Sequence, residues 1–129
     1  MKRLFVCLTL IVLLTSCTEK FEFVDPMEFN EKIANRKDIK NGEELIKVFY
    51  NYPQNEGIPN LAIESKKLGQ DRFEITLIHD GLEDDSQRAT KIVMTAEHQN
   101  ETWIVLEVKR NRKCYDGRGH TSWGTEWCN

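Results

Sequence analysis

The chain has 129 residues, with 18 basic and 21 acidic side chains and a formal net charge of −3 with histidine neutral. That length holds one domain with one modest core. The acidic balance excludes a general nucleic-acid binder, which needs a basic face, and no internal repeat or low-complexity linker divides the chain.

Lys2 and Arg3 precede an uncharged run from Leu4 to Leu14, which closes as Leu13-Leu14-Thr15-Ser16-Cys17. A basic start, an apolar segment of about 7–15 residues and small residues at a cut are the layout of a secretory signal. The run is too short to span a bilayer, which takes about 20 apolar residues. A cysteine directly after Leu-Thr-Ser resembles the lipobox of bacterial lipoproteins. The resemblance implies that residues 1–16 are a signal peptide and that Cys17 is lipidated and becomes the new N-terminus. It implies a protein anchored through lipid in the cell envelope, on the periplasmic or outer-membrane side. Each buried CH₂ of an acyl chain contributes about 0.8 kcal/mol, and stable anchoring takes more than one chain. Residues 17–24 then read as a lipidated tether, and Thr18 to Val24 reach at most about 25 Å when extended. The cut removes Lys2 and Arg3 and no acid, so 16 of the 18 basic side chains remain against 21 acids.

Residues 25–129 read as a single domain, with 109–129 as its tail. Asp25-Pro26-Met27-Glu28 opens a helix: Asp25 caps, Pro26 suits the first helical position and Glu28 completes a capping box. Val24 and Phe29 stand at the positions of a hydrophobic staple, and the helix is expected to end near Arg36. Asn41-Gly42-Glu43-Glu44 repeats the capping pattern. Leu45, Ile46, Phe49 and Tyr52 then fall on one helical face, and Pro53 stops the helix.

After Pro59 the period changes to two. Leu61 and Ile63 begin a first strand, and Gly69-Gln70-Asp71 is its turn. Phe73, Ile75 and Leu77 alternate in a second strand, followed by a polar loop from Gly81 to Gln87. Ile92, Met94 and Ala96 mark a third strand, and Gln99-Asn100-Glu101 a tight turn. Ile104, Leu106 and Val108 define the inner face of a fourth strand, with Trp103, Val105 and Glu107 opposite. Hairpin-length connections make these a four-stranded antiparallel meander. Its apolar face needs cover, which the Leu45–Tyr52 helix supplies. The expected fold is therefore α+β: one or two N-terminal helices on a four-stranded meander, with a disulfide-closed C-terminal loop. It resembles the cystatin-like or nuclear-transport-factor-like arrangement of one curved sheet against a helix. That resemblance concerns fold and carries no function.

Cys7 leaves with the signal and Cys17 takes the lipid, so Cys114 and Cys128 remain as a pair. An even pair in an exported chain reads as a disulfide. The loop of about 15 residues that it closes corresponds to about 3 kcal/mol of chain entropy.

That loop is where chemistry concentrates. It holds two of the three tryptophans, Trp123 and Trp127, and three of the seven glycines. Arg118 stands between Gly117 and Gly119, with little bulk around a side chain suited to carboxylate or phosphate. Lys109, Arg110, Arg112 and Lys113 add positive charge before it. Arg118, His120, Trp123, Tyr115, Trp127 and Arg112 are the candidate binding residues for a protein or an anionic ligand. The same tail admits a purely structural reading, in which the tryptophans cover a sheet edge and Arg118 pairs with Asp116 or Glu107. The run Cys114, Gly117-Arg118-Gly119-His120, Trp123, Glu126, Cys128 also resembles the cysteine-bounded tail of uncharacterised bacterial secreted proteins and lipoproteins. It implies a recurring envelope module and no particular activity.

Enzyme signatures are missing. His79, His98 and His120 are the only histidines and form no His-Glu-x-x-His pair. There is no Gly-x-Ser-x-Gly elbow and no phosphate-binding glycine loop. Cys114, His120 and Cys128 fit no common zinc spacing, and Glu83, Asp84 and Asp85 do not have the spacing of an EF-hand. The sequence therefore points to a non-catalytic envelope binding module with no cofactor and no metal. The alternatives are an inhibitor or immunity-type protein and, further off, a small hydrolase. Oligomeric state is not legible.

Overall fold

The computed structural model describes residues 18–51 and 60–129. Residues 1–16, read above as a signal peptide, and Cys17, Tyr52 and Pro53 lie outside the described residues. In chain order the elements are β1 (Glu22–Val24), α1 (Met27–Ile33), α2 (Gly42–Tyr50), β2 (Leu61–Lys67), β3 (Arg72–Asp80), β4 (Gln87–Gln99) and β5 (Thr102–Cys114). The strands form one antiparallel sheet in the order β1-β5-β4-β3-β2. The α+β class stands, and β2 to β5 are the expected meander. The sheet has five strands rather than four, because β1 comes from the stretch read as tether and pairs with the outer edge of β5. Glu22 lies opposite Arg110, Phe23 opposite Lys109 and Val24 opposite Val108.

Local chemistry explains the helices. In α2 the Asn41 side chain accepts the Glu44 N–H at 2.9 Å, and Glu44 reaches back to the Lys40 N–H at 2.7 Å. Two orphan donors are satisfied, the second one residue earlier than in the usual capping box. The helix ends at Asn51, in left-handed conformation (φ 52°, ψ 44°), whose N–H returns to the Lys47 carbonyl. Asparagine tolerates that region, so the stop falls ahead of Pro53. At α1, Pro26 occupies the cap position without a side-chain bond, and Asp25 still accepts the Met27 N–H at 2.9 Å. The helix is shorter than expected, ending at Ile33 rather than near Arg36.

Both helices lie on one face of the sheet. Phe29 and Ile33 of α1 and Leu45 and Ile46 of α2 join Ile75, Leu77, Ile92, Met94, Trp103, Val105 and Val108 in a single core. Phe49 is half-buried and meets Phe29 edge-on at 5.1 Å. The Trp103 indole N–H donates to the buried end of the α1–α2 connection, the Ile39 carbonyl, at 3.1 Å.

The inner face of β5 corrects the sequence pattern. Trp103 and Val105 are buried with Val108, whereas Ile104 and Leu106 are 55% and 42% exposed. A register shift is the cause. Thr95 opposes Glu107 while its neighbour Ala96 opposes Val105, so Leu106 is the extra residue of a bulge. A bulge breaks the period of two, and the residues on its two sides present opposite parities to the core. At the other end of the hairpin, Asn100 and Glu101 both take positive φ (52° and 64°), the type I′ geometry that matches strand twist.

The bulge makes a direct prediction. In denaturant titration, Leu106→Ala should change the unfolding free energy by less than about 1 kcal/mol. Ile75→Ala, which empties a fully buried site, should cost about 2–5 kcal/mol. Equal large losses would put Leu106 in the core.

Candidate functional site

The tail is built around the end of β5. Cys114 and Cys128 form the expected disulfide (Cα–Cα 5.5 Å). Between them the chain doubles back and pairs with β5: Arg112 and Gly124 exchange both backbone hydrogen bonds at 2.9 Å. A Cβ at Gly124 would lie 3.0 Å from the His120 ring, close enough that the ring would have to give way by a few tenths of an ångström. Gly119 takes φ 138°, and a Cβ there would lie 3.0 Å from the Cys114 sulfur.

Arg112, one of the candidate binding residues, is buried. Its guanidinium pairs with Glu22 at 2.6 Å, donates to the Thr125 carbonyl and lies 4.0 Å below the Trp127 ring. Glu22 also takes Arg110 at 2.6 Å. Burial pushes the Glu22 carboxyl up, but the bonds from Arg110 and Arg112 outweigh it and hold it below the usual carboxylate range. The other basic residues of the run are engaged as well. Lys113 and Lys91 both stand over the Trp123 ring, at 4.7 and 4.4 Å. Lys109 covers Phe21 at 4.9 Å. These cations brace the termini.

His120 is held by both ring nitrogens. Nδ1 lies 2.8 Å from the Ser122 carbonyl and Nε2 2.9 Å from the Glu126 carbonyl. Carbonyls only accept, so both contacts are hydrogen bonds only when the ring is doubly protonated. The Glu126 carbonyl, then that of Ser122, raises the histidine above its ordinary value, with burial and nearby Arg112 acting against them. Tyr115 is anchored too: its hydroxyl donates to the Leu82 carbonyl at 3.0 Å and its N–H to that of Ser86 at 2.9 Å. In the loop it holds, Asp84 accepts the Ser86 and Gln87 N–H groups, at 2.8 and 2.7 Å, as a turn organiser.

Two of the six candidates face outward. Trp127 is 72% exposed. Arg118 is exposed, and no carboxylate among the described residues pairs with its guanidinium. Its backbone is fixed, with its N–H on the Tyr115 carbonyl at 3.0 Å and its carbonyl taking the Asn129 N–H at 2.6 Å. Neither Asp116 nor Glu107 neutralises it. Asn129 is thereby brought beside residue 118.

The sequence pattern misses Glu19 and Glu22, the acids that organise this end of the sheet. Their partners, Lys91 and Arg110 with Arg112, lie 72 to 90 positions away. The one local signal is the strand-like alternation Phe21-Glu22-Phe23. Elsewhere, a shallow groove of about 240 Å³ is lined by Glu43, Lys47, Leu61 and Ile63, and Lys47 is occupied by Glu43 at 2.6 Å. Among the described residues no three His, Cys, Asp or Glu side chains converge as a metal site. No family model matches the chain, and no curated protein or solved structure matches it either.

Two predictions belong to this site. Glu22→Gln leaves the Arg112 guanidinium buried without its counter-charge; Glu22 is itself 30% exposed, so the loss should be about 1–3 kcal/mol by thermal or chemical denaturation. His120 makes the tail pH-dependent. Its folded value lies above the ordinary 6.5, so its stabilising contribution is complete below that pH and is lost as pH rises through the folded value. Proton NMR should show the His120 ring titrating above 6.5, and His120→Ala should flatten the fall in stability between mildly acidic and mildly alkaline solution.

Proposed function

We propose that this is a small lipid-anchored envelope protein, a non-catalytic binding module that holds a protein or an anionic envelope component at the Cys114–Cys128 loop. Arg118 carries the reading. Each cation of the 109–113 run has a partner in the domain, while this guanidinium is exposed on a disulfide-closed loop without an acid. Arginine presents planar, paired donors that fit carboxylate or phosphate. Trp127 adds an exposed aromatic surface to the same tail, and arginine and tryptophan are both residue types enriched at binding hot spots.

Histidine usage favours binding over catalysis. The His120 ring faces two carbonyls, His98 stacks on Trp103 at 4.4 Å and His79 bonds the Tyr50 hydroxyl at 2.9 Å. The anchor rests on the basic start, the apolar run and the Leu-Thr-Ser-Cys17 ending.

Arg118→Ala should leave stability within about 1 kcal/mol, as for an exposed charge, and should abolish capture of the ligand from envelope extract. Capture of the same components by parent and variant would reject the loop as the site. Cys17→Ser should release the protein into the soluble fraction or leave an uncut precursor; a processed variant that still sediments with the membrane would reject the anchor.

A further inference from the structure

The sheet has a second face, which no helix covers among the described residues. Registry assigns its residues. Val24 and Val108 point into the core, so Phe23 and Lys109, the adjacent pair, point away. On the near side of the bulge Trp103 and Val105 are buried, so Ile104 lies on the open face, and the bulge residue Leu106 joins it. Phe23 is 72% exposed and, with Ile104 and Leu106, belongs to the six large apolar side chains left most exposed. Phe21, Phe23, Leu106 and Ile104 thus form one apolar row along the β1–β5 edge. The Lys109 ammonium stands over the Phe21 ring at 4.9 Å, so the row's lysine is held on its aromatic neighbour.

The same face holds the N-terminal segment. Glu19 takes Lys91 at 2.7 Å, and the Asn111 amide donates to Glu19 and to the Lys20 carbonyl at 3.3 and 3.1 Å. Lys91 and Asn111 are opposite one another in register, on the face away from the core. The Lys91 bond, against burial, and then Asn111 and Lys113 hold the Glu19 carboxyl below its ordinary range. Only Thr18 separates this fixed point from Cys17. Two residues span at most about 7 Å, so the chain leaves the domain on the helix-free face with almost no slack.

We propose that this face lies flat against the lipid surface to which the protein is attached, with Phe21, Phe23, Leu106 and Ile104 in the interfacial layer. The inference rests on the anchored reading above and adds an orientation to it. A long tether would let any surface face the membrane. With Glu19 and β1 docked, the described chain starts on the helix-free face just after Cys17 in sequence, and an exposed apolar row on the face from which an anchored chain departs gains burial by lying in the interface. Glu107 and Glu74 share the face, so the contact is interfacial and the sheet does not enter the hydrocarbon.

The test uses the full chain, purified with its own anchor and reconstituted in phosphatidylethanolamine–phosphatidylglycerol vesicles. Three single variants, Ile104→Cys, Leu106→Cys and Lys32→Cys, the last on the exposed side of α1 across the domain, are alkylated with a membrane-impermeant maleimide. In vesicles the first two should react at least about tenfold more slowly than the third, and all three should react alike after detergent extraction. Parent protein that sediments with vesicles while all three sites react equally would overturn the orientation and leave the anchor intact. Parent protein that fails to sediment would overturn both. Protection that persists in detergent and grows with protein concentration would assign the face to a second copy and overturn the lipid proposal.

Discussion

Arg112 ties the start of the domain to its end. Its side chain is 4% exposed, and a guanidinium cannot be left in that position without partners, because desolvating an unpaired charge costs several kcal/mol. Glu22 supplies the counter-charge from the N-terminal strand, the Thr125 carbonyl a second acceptor, and Trp127 an aromatic face. The first partner belongs to the start of the domain and the other two to its end. Satisfying one buried cation therefore requires β1 to pair with β5 and the tail to fold back over the same strand. The disulfide closes the tail covalently, but the disulfide alone does not choose which surface the tail covers. Arg112, with its two backbone bonds to Gly124, makes that choice.

Once β1 and the tail share one edge of β5, the two tryptophans divide between the faces. Gly124 opposes Arg112, so Trp123 falls on the side opposite to it, where Lys91 and Lys113 hold its ring. Trp127 sits over Arg112 on the helix side. Cation–π contacts of this kind contribute about 0.5–2 kcal/mol each depending on desolvation. The tail is thus a clamp around the end of a strand, and its rigidity is what leaves Arg118 in a defined position without a salt bridge to hold it there.

The parts of the fold legible in the sequence are those set by neighbours. Strict alternation marks β3 and β4, Asn41 and Glu44 mark the start of α2, and the surviving cysteine pair marks the closed loop. β1 is three residues long and has no independent stability; its identity depends on an edge more than eighty positions away. The inner face of β5 is ambiguous for a different reason. Trp103-Ile104-Val105-Leu106 is apolar at every position, so alternation cannot say which pair turns inward, and only the inserted residue at the bulge reconciles Val105 with Val108. In the tail, counting positive charge along the sequence overstates the site, since the acids that neutralise Arg110 and Arg112 are distant in sequence and adjacent in space.

Glu19 ties the start of the described chain to the end of the sheet that carries the C-terminal loop. Glu19 and Lys91 share their site with Trp123, through Lys91 itself. In the anchored reading, the C-terminal loop and the lipid attachment therefore stand on the same end of the sheet, braced by one lysine. A ligand of the loop would be met close to the membrane and at a fixed angle, because the chain between anchor and domain is bonded to the sheet. Such a geometry suits a ligand that is itself confined to the envelope surface, where limited reach raises the effective concentration of correctly placed partners and excludes the rest. A module meant to search a deep compartment needs a long, uncommitted linker; here Glu19, Lys20 and Glu22 all commit that linker to the sheet within five residues of the cysteine.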